Sequence, residues 1–481
     1  MNKKRVISGI AAMAVALGGF AGCTKKDDSD GTTEVSWYLS GVKQDSSYDE
    51  VFNKANELLE ERYGLKLNII LTDGSNYSQK IQMINASREA YDLAFTCNWT
   101  NNYYTNVENG SLLDITELLP KEAPELYKSL SEAEIQATKV GGKMYAVPNW
   151  QVQARALGIL IPEDKLTETG YTLDQINRFE DLEGYLKKMV SIDPESNKTG
   201  GGWNPMLTYY GMMTVVQEGL PGCIYYQKEG KPQIVNQFDT PEFMEFAKLQ
   251  RDWVKKGLLP SVKSTKNYAV KELKKNPVMW INWKPGIEVE QQRNLGYPLK
   301  TKQLSPAVLG TEVLLSTMTG VGANSKRPEK ALKVLEVMHT DKEIYNLLSF
   351  GIEGKNYDKV SDNKIKIKDG NTYSMSNWML GSVMNSYILD GNPDDIWEKT
   401  KEFNDSAIVS PLIGFSLDNS KISAELGNCE TVIKQYLDTI QFGLKEPDEI
   451  VPQFLEELKI AGADKIVSEV QSQVDEWWEN K

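Results

Sequence analysis

Several places in the sequence combine an indole ring with a side-chain amide, a pairing suited to binding a sugar. A sugar offers apolar C–H faces and a rim of hydroxyls, so its binder needs flat aromatic rings beside planar hydrogen-bonding groups. Four such combinations occur: Asn98-Trp99, Asn149-Trp150, Trp203-Asn204 and Trp280-Ile281-Asn282-Trp283. The pattern predicts a carbohydrate-binding site.

Binding is expected mainly from pairs in loops or at strand ends, because function concentrates on loops held by rigid elements. Trp203 follows a glycine run and fits ligand contact and core packing about equally well. The predicted ligand-binding residues are therefore Asn98, Trp99, Asn149, Trp150 and Trp283. Trp203 is included as a further candidate, for which core packing is an equally good interpretation.

A further candidate is the segment Gly351-Ile-Glu-Gly-Lys-Asn-Tyr357. Its polar side chains Glu353 and Asn356 are predicted to reach the ligand. An equally good interpretation is a surface turn that the two glycines require.

Patterns for catalysis and metal binding are missing. His339 is the single histidine and lies in a helical-looking run, so a histidine-rich metal site is excluded and a Ser-His-Asp system is not indicated. Neither GxxxxGKS/T nor GxGxxG occurs, so nucleotide chemistry has no support. We expect no catalytic residue, no cofactor and no metal.

The cysteines after Cys23 are Cys97, Cys223 and Cys429, and none has CxxC spacing. Three small buried side chains are the favoured interpretation, although a single disulfide stays open.

The elements that would position the site begin with an alternating segment. Hydrophobic periodicity predicts, in order, strand, helix, strand, helix and strand at Val35–Leu39, Tyr48–Tyr63, Leu65–Leu71, Tyr77–Ala86 and Tyr91–Thr96. This order predicts a parallel sheet with right-handed crossovers, whose ligand lies beyond the carboxyl ends of the strands. Trp99 directly follows the third strand and is expected to project there.

The first residues predict export. Lys3, Lys4 and Arg5 precede the apolar run 6–22, which is a signal-peptide pattern and is too short for a comfortable transmembrane helix. Phe20-Ala21-Gly22-Cys23 resembles the lipobox of bacterial lipoproteins, which implies cleavage after residue 22 and lipidation of Cys23. Residues 23–33 are expected to form a flexible tether.

Length and charge restrict the remaining possibilities. A chain of 481 residues exceeds one comfortable hydrophobic core, so two or more lobes are expected. The net charge of −13 disfavours nucleic acid as a partner.

Longer motifs resemble a known family. GSLLDITELL, GGKMYAVPNW and TGVGANSKRPEKALKVLEVM are similar to elements of extracellular solute-binding proteins of the maltose-binding-protein type. LLSFGIEGKNY and GFSLDNSKISAEL resemble a domain of unknown function found in sugar-transport lipoproteins. The resemblance implies an α/β fold of two lobes with a ligand cleft at the hinge. It also implies a monomer that docks on the permease subunits of an ABC transporter.

Mapping by motif assigns residues 34–147 and 277–310 to lobe one. Residues 148–276 and 320–481, including the C-terminal extension, are assigned to lobe two.

The function predicted is capture of a carbohydrate, in particular an oligosaccharide, outside the cell and its delivery to an ABC importer, with the protein held at the membrane by its lipid alone. The alternative is a surface glycoside hydrolase, which needs only two suitably placed carboxylates. A structural scaffold is disfavoured because it has no need of paired amides and indoles, and a peptide ligand stays open.

Overall fold

The structure, a computed structural model, describes residues 32–196, 202–260 and 277–480. The predicted signal peptide, Cys23 and nearly all of the tether lie outside these residues. The strands are β1 (Thr33–Ser40), β2 (Leu65–Thr72), β3 (Leu93–Thr96), β4 (Lys139–Val140), β5 (Lys143–Met144), β6 (Ala146–Pro148), β7 (Ala156–Pro162), β8 (Met212–Thr214), β9 (Cys223–Tyr225), β10 (Met279–Trp283), β11 (Leu299–Gln303), β12 (Val308–Leu309), β13 (Met318–Val321), β14 (Tyr357–Ser361), β15 (Lys364–Ile367), β16 (Ile388–Leu389) and β17 (Ile408–Val409).

The α-helices within the described residues are α1 (Ser47–Tyr63), α2 (Gly74–Ser87), α3 (Tyr103–Glu108), α4 (Leu118–Glu122), α5 (Pro124–Ser129), α6 (Glu132–Ala137), α7 (Glu163–Thr169), α8 (Leu182–Ile192), α9 (Trp203–Met206), α10 (Pro241–Lys255), α11 (Ile287–Leu295), α12 (Thr311–Leu314), α13 (Pro328–Thr340), α14 (Lys342–Phe350), α15 (Ile396–Asp405), α16 (Ser423–Gln441), α17 (Pro447–Ala461) and α18 (Ala463–Glu479). None of them is long and apolar enough to span a bilayer.

The first lobe is built on a five-stranded sheet of order β2-β1-β3-β13-β6. β1 is parallel to both β2 and β3, so the predicted β-α-β-α-β unit is confirmed. α1 ends at Gly64, whose φ of 62° lets its N–H bond back to the carbonyl of Glu60. Alternate residues of β1 (Val35, Trp37 and Leu39) are buried against the helices.

The second lobe is built around β7, which is buried along its whole length. β10 and β11 pair with it on either side, both antiparallel. The C-terminal helices belong to this lobe, because Phe454 of α17 and Val470 of α18 share one buried cluster with Leu157 and Ile159 of β7. The C-terminal helices therefore pack with β7 in one hydrophobic core.

Within the part of the chain that the structure describes, three segments cross between the lobes: residues 149–155, 304–317 and 390–410. These segments are hydrogen-bonded to one another. Arg155 N–H donates to the Val308 carbonyl at 2.9 Å, and Val308 N–H donates to the Arg155 carbonyl at 2.8 Å. β12 also pairs in parallel with β17. We call this three-segment element, formed by Arg155, β12 and β17, the hinge ribbon.

The structure corrects two of the predicted lobe boundaries. Residues 277–303, predicted in lobe one, lie in lobe two, because the buried strand β7 needs a hydrogen-bonding neighbour on each side and β10 and β11 supply them. Residues 320–389, predicted in lobe two, lie mainly in lobe one. There β13 fills the gap between β3 and β6, and α13 and α14 pack on the same sheet.

Candidate functional site

Among the described residues, cavities that we call A, B and C open between the lobes, along the hinge ribbon. Cavity A, about 600 Å³, is lined by Trp99 of lobe one, Glu312 of the hinge segment and Phe415 of lobe two. Cavity B, about 650 Å³, lies between Trp283 of lobe two and Trp378 of lobe one. Cavity C, about 100 Å³, is the smallest and shares Glu312 with cavity A. The two larger cavities fall within the range of ligand-binding pockets.

Trp99 projects from the carboxyl edge of the first sheet into cavity A. It exposes 60% of its surface, while its indole N–H donates to the Ser316 carbonyl at 2.8 Å. Its ring centroid lies 6.0 Å from that of Phe95 and 6.3 Å from that of Trp378. The indole is therefore fixed at its edge and open on a face, which is the geometry a stacking platform requires.

Asn98 lines the same cavity, and the nitrogen of its amide bonds to the main chain of the cavity wall. Its Nδ2 donates to the backbone carbonyl of Glu312 at 2.7 Å, which ties the end of β3 to the hinge segment. No partner within the described residues occupies Oδ1, so that atom can accept a hydrogen bond from a ligand.

Trp283 lies on cavity B, although its strand belongs to the second lobe. Its ring meets Phe403 edge-on at 5.3 Å. Gly158 on the neighbouring strand makes room for it, because a Cβ at that glycine would come within 2.6 Å of Trp283 Cδ1. Trp283 and Trp99 thus lie on different cavities of one cleft.

The structure does not bring three predicted residues to these cavities. Trp203 is completely buried among Phe243 and Phe246, so its assignment to the ligand is corrected: it is a core residue of lobe two. Asn149 is 2% exposed, and neither amide atom has a hydrogen-bond partner among the described residues. Trp150 is half-buried and lines none of the three cavities.

Glu353 and Asn356 line none of these cavities. Their contacts are those of the surface turn that was the alternative interpretation of this segment. Asn356 is buried; its Oδ1 accepts from the Ile352 N–H at 2.8 Å, and its Nδ2 donates to Asn371 at 2.8 Å. Glu353 is exposed and pairs with Lys359 at 3.4 Å. Gly351 has a φ of 83°, and a Cβ there would meet the Asn356 amide at 2.4 Å. The segment closes a surface turn.

Arg155 and Glu312 are among the charged residues of the cleft that the sequence analysis missed. Arg155 lines all three cavities, and Glu312 lines cavities A and C. Burial raises the pKa of the Glu312 carboxyl, the charge of Arg155 opposes that rise, and the charge of Glu218 adds to it. A single Arg or Glu in an apolar stretch does not indicate a binding site by itself. Arg155 and Glu312 are recognised as site residues only because the fold brings them to the same cavities.

Asn377 and Trp378 were also missed, although a signal for them was present. They form another indole and amide pair, and both line cavity B. The same pattern that selected Asn98-Trp99 would have found them.

Comparison with known proteins places this cleft in context. Residues 411–479 match a domain of unknown function, DUF3502. A curated protein of Streptococcus pneumoniae, a carbohydrate ABC transporter substrate-binding protein, is 29% identical over 488 residues, covering 98% of this chain and 96% of the relative. The chain is similar to carbohydrate-transport solute-binding proteins. The predicted resemblance is confirmed.

Solved structures agree. The N-glycan transport solute-binding protein NgtS of S. pneumoniae has a TM-score of 0.82 at 27% identity, covering 93% of this chain and all of that one. The same protein in complex with Man1GlcNAc has a TM-score of 0.68 at 26% identity, covering 93% and 100% of the two chains. Its complex with Man5GlcNAc has a TM-score of 0.65 at 27% identity, covering 94% of this chain and 99% of that one. The two-lobed α/β fold is therefore confirmed.

Other reactive groups of this solute-binding fold are enclosed. Cys97, Cys223 and Cys429 are free and buried, as the favoured interpretation expected. His339 lies on α13 with its Nδ1 2.8 Å from the Leu335 carbonyl, and burial lowers the pKa of its ring. Among residues 32–196, 202–260 and 277–480, no three His, Cys, Asp or Glu side chains come together as a metal site.

Proposed function

We propose that this protein captures an oligosaccharide in the cleft formed by cavities A and B and presents it to an ABC importer. The observation that carries the proposal is the open indole of Trp99, held at the carboxyl edge of the first sheet and facing a cavity walled by both lobes. Trp283 and Trp378 supply further aromatic surface on cavity B. Aromatic faces distributed along one cleft suit a ligand of several sugar rings.

The ligand class we propose is a glycan containing mannose and N-acetylglucosamine. Support comes from the relative that was solved with Man1GlcNAc and Man5GlcNAc, whose sequence is 26% to 27% identical to this chain over more than nine-tenths of its length. Man1GlcNAc and Man5GlcNAc are therefore the first ligands to test.

Ligand capture is proposed to close the lobes about the hinge ribbon. The TM-score to the relative is 0.82 for one of its structures, and it is 0.68 and 0.65 for its complexes with Man1GlcNAc and Man5GlcNAc. The conformation of the present chain thus differs more from the two glycan complexes than from the first structure, which supports a conformational change on binding. A closed state stabilised by the ligand would give the importer a signal that the site is occupied.

We further propose that the protein acts as a monomer outside the cytoplasm, anchored through a lipid on Cys23. The support is the basic start, the apolar run and the small residues before that cysteine. A diacylglycerol carries two acyl chains, which is enough for stable anchoring.

A thermal-shift screen of the soluble chain tests the proposed ligand class. Man1GlcNAc, Man5GlcNAc, unrelated oligosaccharides and short peptides are compared. A bound ligand at 100 times its Kd stabilises the fold by about 2.7 kcal/mol, which raises the melting temperature. Stabilisation by Man5GlcNAc but not by peptides is expected. Stabilisation by peptides alone would overturn the proposal.

A further inference from the structure

Arg155 occupies a special position in the hinge ribbon. Its backbone N–H and C=O are both bonded to Val308, at 2.9 and 2.8 Å, so the main chain at this residue is fixed. Its side chain is exposed and lines cavities A, B and C. Within the described residues, the guanidinium makes no hydrogen bond and no ion pair, which leaves five N–H donors facing the cleft.

Glu312 is the complementary group. Its backbone is tied to lobe one by Asn98, and its carboxylate folds over Gly310, where a Cβ would come within 2.3 Å of Oε2. In the described chain, no other side chain donates a hydrogen bond to this carboxylate. It is close enough to Arg155 for their charges to interact, yet the two do not form an ion pair.

The Glu312 carboxylate and the Arg155 guanidinium therefore share a cavity but do not bond to each other. Both are available to bond to a ligand. A sugar ring with neighbouring hydroxyls supplies both partners, because a hydroxyl oxygen accepts while its hydrogen donates. Hydrogen bonds to charged groups are also stronger than neutral ones.

We propose that Arg155 and Glu312 form a sugar subsite at the hinge, in which Arg155 donates to one hydroxyl of a neutral ring and Glu312 accepts from its neighbour. This inference rests on the proposed function and adds the residues that determine its specificity. The ring is neutral because Glu218 lines cavities A and C together with Glu312, so an acidic sugar would meet two carboxylates for one guanidinium.

The test is titration calorimetry of the full chain with Man5GlcNAc. Arg155→Met and Glu312→Gln are each expected to raise Kd roughly ten- to a hundredfold, the range for losing hydrogen bonds to charged groups. Arg155→Lys should recover only part of the affinity, because an ammonium cannot reproduce the planar fork. The matched control is Arg178→Met: Arg178 is exposed, pairs with Glu180 and lines none of the three cavities, so Kd should not change.

The double variant Arg155→Met with Glu312→Gln separates a shared subsite from two structural roles. If both residues bind one ring, the double variant weakens binding by less than the product of the single effects. An unchanged Kd in Arg155→Met or Glu312→Gln overturns the inference while the proposed function stands. Tighter binding of a glycan carrying a carboxylate also overturns it. If wild type binds no glycan at all, the proposed function itself fails.

Discussion

Trp99 exposes 60% of its surface although its ring contacts Phe95 and Trp378, whereas Trp203 is fully enclosed by aromatic neighbours. The difference comes from the path of the chain after each residue. The loop after β3 places the indole of Trp99 on cavity A. Trp203 begins α9, which packs into the core of lobe two. Truncation of these two residues should therefore affect different properties.

Trp99→Ala is expected to weaken glycan binding by about 1 to 4 kcal/mol, which is from roughly fivefold to almost a thousandfold in Kd. The melting temperature without ligand should change little, because the side chain is largely exposed. Trp203→Ala is the matched control and should lower the free energy of unfolding by about 3 to 5 kcal/mol. Calorimetry and ligand-free melting of both variants check this. Unchanged affinity in Trp99→Ala would remove that residue from the site.

At the residue scale, the sequence predicted part of the cleft. The pairing of indole and amide identified Trp99 and Trp283 because that pattern is local. It also selected Trp203, since a loop tryptophan and a buried one look alike without the fold. Arg155 could not be found, because its importance comes from three segments distant in sequence that meet at the hinge ribbon.

At the element scale, the contact between β7 and β10 shapes cavity B. Gly158 lies opposite Ile281, and its missing side chain leaves room for the Trp283 indole. A Cβ at Gly158 would also come within 2.8 Å of the Lys302 carbonyl on β11. Because backbone lies on that side, the strand has little freedom to adapt.

Gly158→Ala is expected to displace Trp283 and to lower the free energy of unfolding by about 1 to 3 kcal/mol, the cost of overpacking a core. Gly427→Ala serves as the control in α16. That glycine is exposed, and a Cβ there meets nothing within 4 Å, so the variant should gain about 0.5 to 1 kcal/mol. Denaturant unfolding measures both. A Gly158→Ala protein as stable as wild type would show that the strand pair yields more easily than its geometry indicates.

The same strands show where sequence-based prediction ended. β1, α1, β2, α2 and β3 were predicted because each depends on its own periodicity and on the next element along the chain. β10 and β13 are apolar runs of the right length, but their partners β7, β3 and β6 are far away in sequence. Hydrophobic periodicity predicts that a segment forms a strand, but it does not predict which strands pair with it. The lobe assignments of these two segments were therefore wrong.

At the scale of the whole molecule, the proposed function has two requirements: the protein is anchored through Cys23, and its lobes move. Cys23→Ser is expected to abolish incorporation of a fatty-acid analogue in producing cells and to leave the protein unprocessed or released. Labelling followed by cell fractionation measures both outcomes. Cys429→Ser is a suitable control, because that thiol is buried and should not affect the label. Label that persists on the Cys23→Ser protein would refute the lipid anchor.

In the proposed closure, one lobe moves relative to the other about the crossings joined in the hinge ribbon, and cavities A and B lie between the lobes. Capture needs only stacking and hydrogen bonds, so the glycan should leave the protein unchanged. Glu218 and Glu312 nevertheless line the same cavity, and two carboxylates are what a glycoside hydrolase would use. Binding must therefore be measured together with the fate of the ligand.

The most direct measurement is a calorimetric titration of the full chain with Man5GlcNAc, followed by mass analysis of the recovered glycan. We expect one glycan to bind per chain and the glycan to be recovered intact after prolonged incubation. Absence of binding heat at any temperature, combined with no shift in melting, would contradict glycan capture. Shortened glycan that disappears in the Glu312→Gln variant would contradict it in a different way, because the cleft would then be the active site of a hydrolase.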